Sequence, residues 1–294
     1  MKIGVVGLGL MGSALATHLI AAHPGRIVVW NRDPSKAEAL RNKGAEVART
    51  PQELSMLCDV IHLSLLDTRA VQAVAAAIFE VSKPGGLILD HSTISAEATR
   101  ALSDQAAQLG WSWVDAPVSG GSEGARAGRL AVFLGGRKAD MERASAACAP
   151  FARQSRRMGP SGAGQATKAA NQLIVGGTFL LLAEAAVLAE RAGVDAAILP
   201  EVLAGGFADS TLLQHQFARM VADDGVVQGT AAVMLKDLDL VADQAERSGT
   251  STPFLAAAHA IWTAYVADGH GDTDWTAIAQ RVRGKPLREG TCNE

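Results

Sequence analysis

Three glycines near the start of the chain limit most strongly the folds that it can adopt. The segment "KIGVVG" predicts a short buried strand, and it runs into "GLGLMG", in which Gly7, Gly9 and Gly12 have the G-x-G-x-x-G spacing. The following "SALATHLIAA" has helical character, and "RIVVWNR" predicts a second strand. A strand, a glycine turn, a helix and a strand within about thirty residues are typical of a dinucleotide-binding unit.

Each glycine of this loop has its own steric task in such a unit. Gly7 permits the tight turn, Gly9 lets the backbone approach a pyrophosphate, and Gly12 lets the helix pack closely on the strand. The helix N-terminus offers amide groups and a partial positive charge to the phosphates. The alternative is a glycine-rich turn with a packing role alone. The predicted cofactor loop consists of Gly7, Leu8, Gly9, Leu10, Met11 and Gly12.

The end of the second strand bears on the choice of cofactor. An acidic residue there would bind the ribose hydroxyls of NAD and repel a 2′-phosphate. This strand ends in Asn31 and Arg32, and a guanidinium can pair with a phosphate. We therefore predict that Asn31 and Arg32 contact NADP rather than NAD. NAD stays possible, because a small shift in register would bring Asp33 to the ribose, and Arg32 could also be an exposed loop residue.

Strands and helices continue to alternate through the first half of the chain. The patterns predict a Rossmann-type, doubly wound and mainly parallel sheet. Ligands bind at the carboxyl ends of the strands in such a sheet. Leu65, Leu66, Thr93 and the segment "DAPVSGG" are therefore expected on one rim. The predicted strands are "CDVIHLSL", "GGLILD", "WSWVDAP", "RLAVFLGG" and residues 153–158, with helices at 68–80 and 95–109.

Strand patterns nearly vanish after residue 160. A helix of about thirty residues is predicted over 163–193 and would join the sheet to an all-α C-terminal domain. We predict a dinucleotide-binding domain at 1–160, a helical substrate and oligomerisation domain at 161–294, and disorder in the last ten residues. Further helices are predicted at 195–205, 210–221, 231–248, 253–267 and 274–282.

Lys168 is the one charged side chain between Arg157 and Glu184. Asn171 and Gln172 follow it by three and four residues and so share its helix face. Burial and a positively charged nicotinamide would both lower the pKa of this lysine, which would let it exchange a proton with an alcohol or carbonyl. The alternative is a lysine whose ammonium extends to the surface.

Composition excludes several classes of protein. A formal charge of −3 argues against general nucleic-acid binding, and no His, Asp and Glu cluster suggests a metal site. Three cysteines without metal-like spacing favour a reduced, cytoplasmic location. The start lacks a convincing signal-peptide cleavage site, and Gly176, Gly177 and Glu184 interrupt the apolar stretch, so we expect no membrane segment.

Four motifs in order, "GLGLMG", "DAPVSGG", "GQATKAANQ" and "MLKDLDL", resemble those of the β-hydroxyacid dehydrogenases, from residue 1 to about 285. This family includes 3-hydroxyisobutyrate dehydrogenase, tartronate semialdehyde reductase and the glyoxylate/succinic semialdehyde reductases. The resemblance implies an NADP-dependent oxidoreductase that interconverts small 3-hydroxy acids and carboxylated aldehydes or ketones.

The resemblance also implies roles by position. Lys168 matches the catalytic lysine, which protonates the carbonyl oxygen during reduction. Thr93 and Lys236 match positions that contact the cofactor, although Thr93 could instead cap the next helix. Lys236 and Asp237 could also form a solvated helix face, and Gly120 and Gly121 could be only a turn. The implied substrate-binding residues are Ser119, Gly120, Gly121, Asn171, Gln172 and Asp237.

Two departures from the family pattern concern the pocket. Gln172 stands where many relatives have asparagine, and Leu66 stands where proline is common. Imine reduction on the same fold and a non-catalytic NADP-binding protein remain alternative functions. The apolar stretch "LIVGGTFLLLAEAAVLAE" further predicts a homodimer or homotetramer packed through the helical domain.

Overall fold

The computed structural model describes residues 1–81 and 83–284. It contains two compact units, Met1–Lys168 and Ala169–Glu294. The first unit thus keeps the beginning of the long helix, and the division of tasks between a cofactor domain and a substrate domain stays a prediction. The predicted disorder of the last ten residues lies outside the described residues.

The described residues of the first unit form nine strands. They are β1 (Ile3–Val6), β2 (Ile27–Trp30), β3 (Glu46–Val47), β4 (Val60–Leu63), β5 (Gly86–Asp90), β6 (Trp111–Asp115), β7 (Val118–Ser119), β8 (Leu130–Gly135) and β9 (Ala152–Gly159). Seven helices separate them, namely α1 (Leu10–Ala22), α2 (Pro34–Arg41), α3 (Pro51–Leu57), α4 (Thr68–Phe79), α5 (Ala96–Gln108), α6 (Gly121–Arg126) and α7 (Met141–Cys148), with a 3₁₀ turn at Lys138–Asp140.

The strands form one sheet in the order β3-β2-β1-β4-β5-β6-β8-β7, with β9 beside β8. Strands β1 to β6 pair in parallel, whereas β8 is antiparallel to β6 and β7. The chain leaves β1 toward β2 on one side and returns to β4 on the other. The carboxyl ends of β1 and β4 therefore form the switch point at which such sheets bind ligands.

Successive residues of the central strands belong to different halves of the core. Val5 lies in one apolar cluster and Val6 in another, and Leu87 and Ile88 divide in the same way. Because neighbouring side chains of a strand point to opposite faces, helices cover both faces of this sheet. This confirms the predicted doubly wound class and explains why the strand patterns are continuously apolar.

Several short elements were not predicted. The helix α3 begins at a proline and is capped by Thr50, whose hydroxyl accepts a hydrogen bond from the Glu53 amide at 3.1 Å. β3 and β7 have two residues each. Elements of this length carry too few residues for a hydrophobic period, and their positions depend on pairing with neighbouring strands.

The helix α8 (Ala163–Arg191) leads into the second unit, whose further elements are all helical up to residue 284, where the described part ends. They are α9 (Leu199–Leu203), α10 (Thr211–Ala222), α11 (Ala231–Ser248), α12 (Pro253–Tyr265) and α13 (Ile278–Arg283), with 3₁₀ turns at Ala196–Ile198 and Trp275–Ala277 and a π-helical turn at Val266–His270. The structure thus confirms the predicted all-α C-terminal domain.

Two glycines of α8 let other helices approach it closely. A Cβ at Gly176 would lie 3.0 Å from Met234 Sδ on α11, and one at Gly177 would lie 2.4 Å from the Phe254 ring on α12.

By length and composition α8 could cross a membrane, with a mean hydropathy of 1.9 in its most apolar window, of which 44% is buried. A core helix passes the same test, and residues such as Phe179 and Ala183 belong to the core of the second unit.

Candidate active site

At the switch point of the sheet, the backbone of the turn after β1 packs directly against the backbone that follows β4, with no side chain between them. Gly7 has φ +86°, and a Cβ on it would lie 2.2 Å from the carbonyl oxygen of Ser64, which follows β4. A Cβ on Gly12 would lie 1.9 Å from the carbonyl oxygen of Gly7. Both positions therefore require glycine for the turn and for the close packing of α1 on the sheet.

Gly9 differs from these two glycines because it faces open space. No atom lies within 4 Å of a Cβ built on Gly9, and this residue precedes α1 without a capping side chain. Leu10 is exposed, Met11 is half-buried, and Leu8 points into the core. Since the first amides of a helix have no intrahelical acceptor, this end of α1 offers donors to an anion.

Asn31 holds the glycine loop in place. Its Oδ1 accepts a hydrogen bond from the Leu8 amide at 2.9 Å, and its Nδ2 donates to the Asp33 carbonyl at 3.0 Å. Sequence reasoning placed Asn31 near the cofactor but missed this contact with the loop. A polar residue at the end of β2 was the available signal.

Arg32 and Asp33 have different environments. The Asp33 carboxylate caps α2, because its Oδ1 accepts hydrogen bonds from Ser35 Oγ at 2.7 Å and from the Ser35 amide at 3.0 Å. These bonds lower the pKa of Asp33, so the group is an anion engaged in its own helix. Arg32 is exposed and, within the described part of the chain, has no ion-pair partner.

The segments after β4 and β5 lie side by side on the same rim. The Leu65 amide donates to Ser92 Oγ at 2.9 Å, Leu65 packs against the core, and Leu66 is exposed. Thr93 is half-buried next to Ser92. The residue that caps α5 is Ser95, whose hydroxyl accepts from the Ala98 amide at 3.1 Å, so the capping alternative for Thr93 is wrong.

The "VSGG" turn presents exposed backbone. Gly120 has φ +132° and joins β7 to the short helix α6, and Gly121, the first residue of α6, has φ +63°; both glycines are exposed. A Cβ on Gly121 would meet no atom within 4 Å. Ser119, at the end of β7, is half-buried beside this turn.

Lys168 lies in the interior of the first unit. The residue is 9% exposed, and Nζ donates a hydrogen bond to the Val118 carbonyl oxygen at 2.9 Å. The alternative of a lysine that reaches the surface is therefore wrong. Because Val118 directly precedes Ser119, the structure brings the ammonium of Lys168 to the strand that carries the glycine turn.

Two buried residues missed by sequence reasoning attach the start of α8 to the sheet. Gln165 donates to the Ser92 carbonyl at 2.8 Å and accepts from the Ile94 amide at 3.3 Å. Asp115 accepts from the amides of Gly162 and Gln165. Both residues belong to quoted motifs, but a side chain bonded to remote backbone leaves no periodic signal in a sequence.

In the second unit, four of the predicted site residues form one chain of contacts. Asn171 Nδ2 donates to Gln172 Oε1 at 2.7 Å, and Gln172 Nε2 donates to Asp237 Oδ2 at 2.6 Å. Asp237 Oδ1 lies 2.7 Å from Lys236 Nζ. Asp237 is buried, whereas Lys236 is partly exposed, so Lys236 is held by a buried carboxylate rather than belonging to a fully solvated face.

His62 and His91 form a buried pair. His62 Nδ1 lies 2.9 Å from His91 Nε2, and His91 Nδ1 lies 2.8 Å from the Ala116 carbonyl. The carbonyl can only accept, so His91 carries its proton on Nδ1 and His62 donates to His91. Burial lowers the pKa of His91 to about 4 and that of His62 well below its usual value, and the nearby His91 lowers the latter further.

Comparisons with known protein families cover nearly all of the chain. Residues 2–159 match the NAD-binding domain of 6-phosphogluconate dehydrogenase. Residues 162–282 match the NAD-binding domain of NADP-dependent 3-hydroxyisobutyrate dehydrogenase. Among the residues that the structure describes, no group of three or more His, Cys, Asp or Glu side chains could hold a metal ion.

Individual relatives agree with these families. The chain is 32% identical to a probable 3-hydroxyisobutyrate dehydrogenase-like protein of Arabidopsis thaliana, over 96% of this chain and 93% of the relative. It is 31% identical to 2-hydroxy-3-oxopropionate reductase of Escherichia coli, over 96% of this chain and 97% of that enzyme.

Solved structures have the same fold. The 3-hydroxyisobutyrate dehydrogenase of Mycobacterium tuberculosis with L-serine has a TM-score of 0.85 and 30% identity, over 96% of this chain and 99% of that one. An imine reductase of Streptomyces aurantiacus is more distant, with a TM-score of 0.66 and 24% identity, over 96% of this chain and 99% of that one. At that identity the likeness shows the fold alone.

The buried histidine pair predicts a loss of stability in mild acid. Below about pH 6.5 the unfolded chain takes up protons at both histidines, while folded His91 does so only near pH 4 and burial also keeps the pKa of folded His62 well below its usual value. The free energy of unfolding should therefore fall by about 1.4 kcal/mol per pH unit for each histidine in this window. Urea denaturation at several pH values measures this slope.

His62→Phe should remove about one histidine's share of that slope. The exposed His215→Gln is the matched control and should leave the slope as in the wild type. Equal slopes for the wild type and His62→Phe would contradict the assignment of this pH dependence to the pair.

Proposed function

The chain belongs to the β-hydroxyacid dehydrogenase family of NAD(P)-dependent oxidoreductases acting on CH–OH groups, and on this premise we propose that it is an NADPH-dependent reductase of small carboxylated aldehydes or ketones. In reverse it would oxidise the corresponding 3-hydroxy acids. The observation that carries this proposal is the buried ammonium of Lys168 on the carbonyl that precedes the Ser119 turn.

Lys168 acts in this proposal as the acid and base. Its Nζ, oriented by the Val118 carbonyl, donates a proton to the substrate oxygen during reduction and takes it back during oxidation. Because the side chain is buried, bulk water does not compete for that proton. NADPH, when bound, supplies the hydride that is added to the carbonyl carbon.

The Ser119–Gly121 turn binds the substrate carboxylate. Backbone amides of a turn with positive φ values form a concave donor set for anions, and the Ser119 hydroxyl adds a donor. A carboxylate held there fixes the distance of the reacting carbon from Lys168, so that binding energy from a remote charge orients the reaction.

The residues at the switch point fit a dinucleotide. Gly9 leaves room for a pyrophosphate at the N-terminus of α1, and Leu65, Leu66 and Thr93 line the neighbouring rim. We assign NADP rather than NAD because Arg32 is available to a phosphate, whereas Asp33 is engaged in capping α2. NAD as the cofactor is the alternative.

Polar residues of the second unit are assigned to the substrate and the cofactor. By their motifs, Asn171, Gln172 and Asp237 bind substrate and Lys236 contacts the cofactor. The buried Asp237 supports both roles, since its two oxygens contact Gln172 and Lys236 and restrict their rotamers.

We propose self-association through α8. Ile174, Leu181 and Leu188 are exposed, and their seven-residue spacing places them in one stripe of this helix. A second copy that covers the stripe would make the protein a homodimer or homotetramer. A cytoplasmic location also stays a prediction, based on the cysteine pattern.

The first experiment measures NADPH oxidation with glyoxylate, succinic semialdehyde, tartronate semialdehyde and methylmalonate semialdehyde. We expect turnover of at least one of them and a loss of about a hundredfold in Lys168→Ala and Lys168→Met, a typical size for an acid–base group. The exposed Lys43→Met is the matched control. NADPH binding, followed by its fluorescence, should stay within about threefold in all variants.

Two outcomes would contradict the proposed reductase activity or the role of Lys168 in it. A fully active Lys168→Met would exclude the lysine as the proton donor. A wild type that binds NADPH but reduces none of the four carbonyls would favour a non-catalytic binding protein, and turnover of cyclic imines instead would favour imine reduction.

Arg32→Ala tests the cofactor assignment. Loss of a charge-assisted contact with the 2′-phosphate should raise the KM for NADPH about tenfold or more. The KM for NADH should change less than about twofold, because NADH lacks that phosphate. Arg41→Ala, which removes the partner of Glu38 on α2, is the control. Equal effects of Arg32→Ala on both cofactors would refute the NADP preference.

Light scattering at micromolar concentration tests the oligomer. The wild type should have a mass of at least twice the 30.5 kDa of one chain. The double variant Leu181→Lys, Leu188→Lys should be monomeric, because two ammonium groups in the stripe disfavour burial. Met56→Lys, at an exposed apolar residue of the first unit, should keep the wild-type mass. A monomeric wild type would refute the proposal.

A further inference from the structure

The start of α8 receives its cap from another element of the fold. The carboxylate of Asp115, at the end of β6, accepts the Gly162 amide at Oδ1 (2.9 Å) and the Gln165 amide at Oδ2 (3.0 Å). Ser161 is the ordinary type of capping residue, yet its buried hydroxyl has no hydrogen-bond partner among the described residues. The first turn of this helix is thus tied to the sheet rather than to its own leading segment.

Two glycines make room for this carboxylate. A Cβ on Gly135 would lie 2.4 Å from Asp115 Oδ2, and one on Gly164 would lie 2.7 Å from the same atom. The Gly164 Cβ would also lie 2.3 Å from the Phe133 carbonyl oxygen. The helix backbone therefore rests directly on the ends of the strands, at a distance that no larger residue allows.

Three residues at the start of α8 contact the rim of the sheet. Gln165 and Lys168 are three residues apart and share a helix face, and Gly162 directly precedes the helix. Gly162 is bonded to Asp115, Gln165 to Ser92 and Ile94, and Lys168 to Val118. Because a helix is rigid over two turns, the position of its first amides determines where the Lys168 side chain begins.

We propose that Asp115 is a positioning residue for the reaction: its carboxylate fixes the first turn of α8 so that Nζ of Lys168 reaches the Val118 carbonyl beside the Ser119 turn. This inference rests on the proposed role of Lys168. One residue of the "DAPVSGG" segment would thus attach the helix of the proton donor to the strand end that leads into the carboxylate-binding turn.

A carboxylate is needed at this position because two backbone amides donate to it. Among side chains of this size, only that of aspartate offers two acceptor atoms. Asp115 is fully buried, and no cation pairs with it among residues 1–81 and 83–284. Burial raises the pKa of Asp115, and the hydrogen bonds from Gly162 and Gln165 oppose that rise. A buried charge without a counterion is costly, which is hard to explain by packing alone.

Asp115→Asn tests the proposal with little change in volume. An amide turns one acceptor atom into a donor, so it cannot accept both the Gly162 and the Gln165 amide. We expect kcat to fall between about tenfold and a hundredfold, because small displacements of a catalytic group have effects of this size. KM and the Kd for NADPH, measured by fluorescence, should stay within about threefold of the wild type.

A second readout does not depend on activity. Acetic anhydride modifies exposed lysines, and mass spectrometry gives the rate at each position. Lys168 should react slowly in the wild type and at least about threefold faster in Asp115→Asn. Asp115→Ser, which removes the buried charge altogether, serves the same purpose if the amide variant does not fold.

Thr50→Ala is the matched control, because it removes a helix cap in the same unit. It should lower Tm but leave kcat and the labelling of Lys168 unchanged. A folded Asp115 variant with kcat and Lys168 labelling within about twofold of the wild type would overturn the proposal, as would a parallel loss of NADPH affinity.

An inactive wild type would refute the proposed function rather than the anchoring of Lys168. In that case the rate at which acetic anhydride labels Lys168 tests whether Asp115 anchors the lysine. Faster labelling in the Asp115 variants supports the anchor, and an unchanged rate overturns it.

Discussion

The contact of backbone with backbone at the switch point is the constraint on which the rest of the first unit depends. The turn after β1 touches the carbonyl of Ser64 after β4, and α1 touches the turn through Gly12. No side chain fits in either place, so glycine is required by sterics rather than by flexibility. Given this contact, α1 must leave the sheet with its first amides directed at the open rim. The side-chain oxygen of Asn31, which follows β2, then holds the loop by accepting a hydrogen bond from the Leu8 backbone amide.

The sequence predicted those parts of the fold that produce a local or periodic pattern. The glycine loop, the buried parallel strands and α8 all have such patterns, and the structure contains them. The parts that were missed depend on contacts between distant residues. The antiparallel pairing of β7 with β8, the Asn31 contact with Leu8, and the two anchors of α8 each join segments that no spacing rule connects. The capping alternative for Thr93 was wrong because Ser95, two residues closer to the helix, has the geometry of a cap.

Three buried polar groups of the first unit are satisfied in the same way. Lys168, Asp115 and His91 each have a backbone partner, which cannot move away without deforming a strand or a helix. Such bonds contribute to stability only modestly, but they specify orientation, because a misplaced partner leaves a buried group unsatisfied. In the second unit the buried Asp237 instead contacts the side chains of Gln172 and Lys236. Gln172 is one methylene longer than an asparagine, and its side-chain amide reaches that carboxylate at 2.6 Å.

The cap of α2 also restricts how cofactor preference could evolve. Asp33 cannot turn toward a ribose without releasing the Ser35 amide and hydroxyl, so a descendant that gained affinity for NAD through this residue would uncap its own helix. An aspartate at position 31 could still accept the Leu8 amide, although it would lose the bond that Asn31 donates to the Asp33 carbonyl. If Arg32 selects NADP as proposed, the shorter mutational path from NADP to NAD would pass through residues 31 and 32, and the acidic residue already present would not be a step on it.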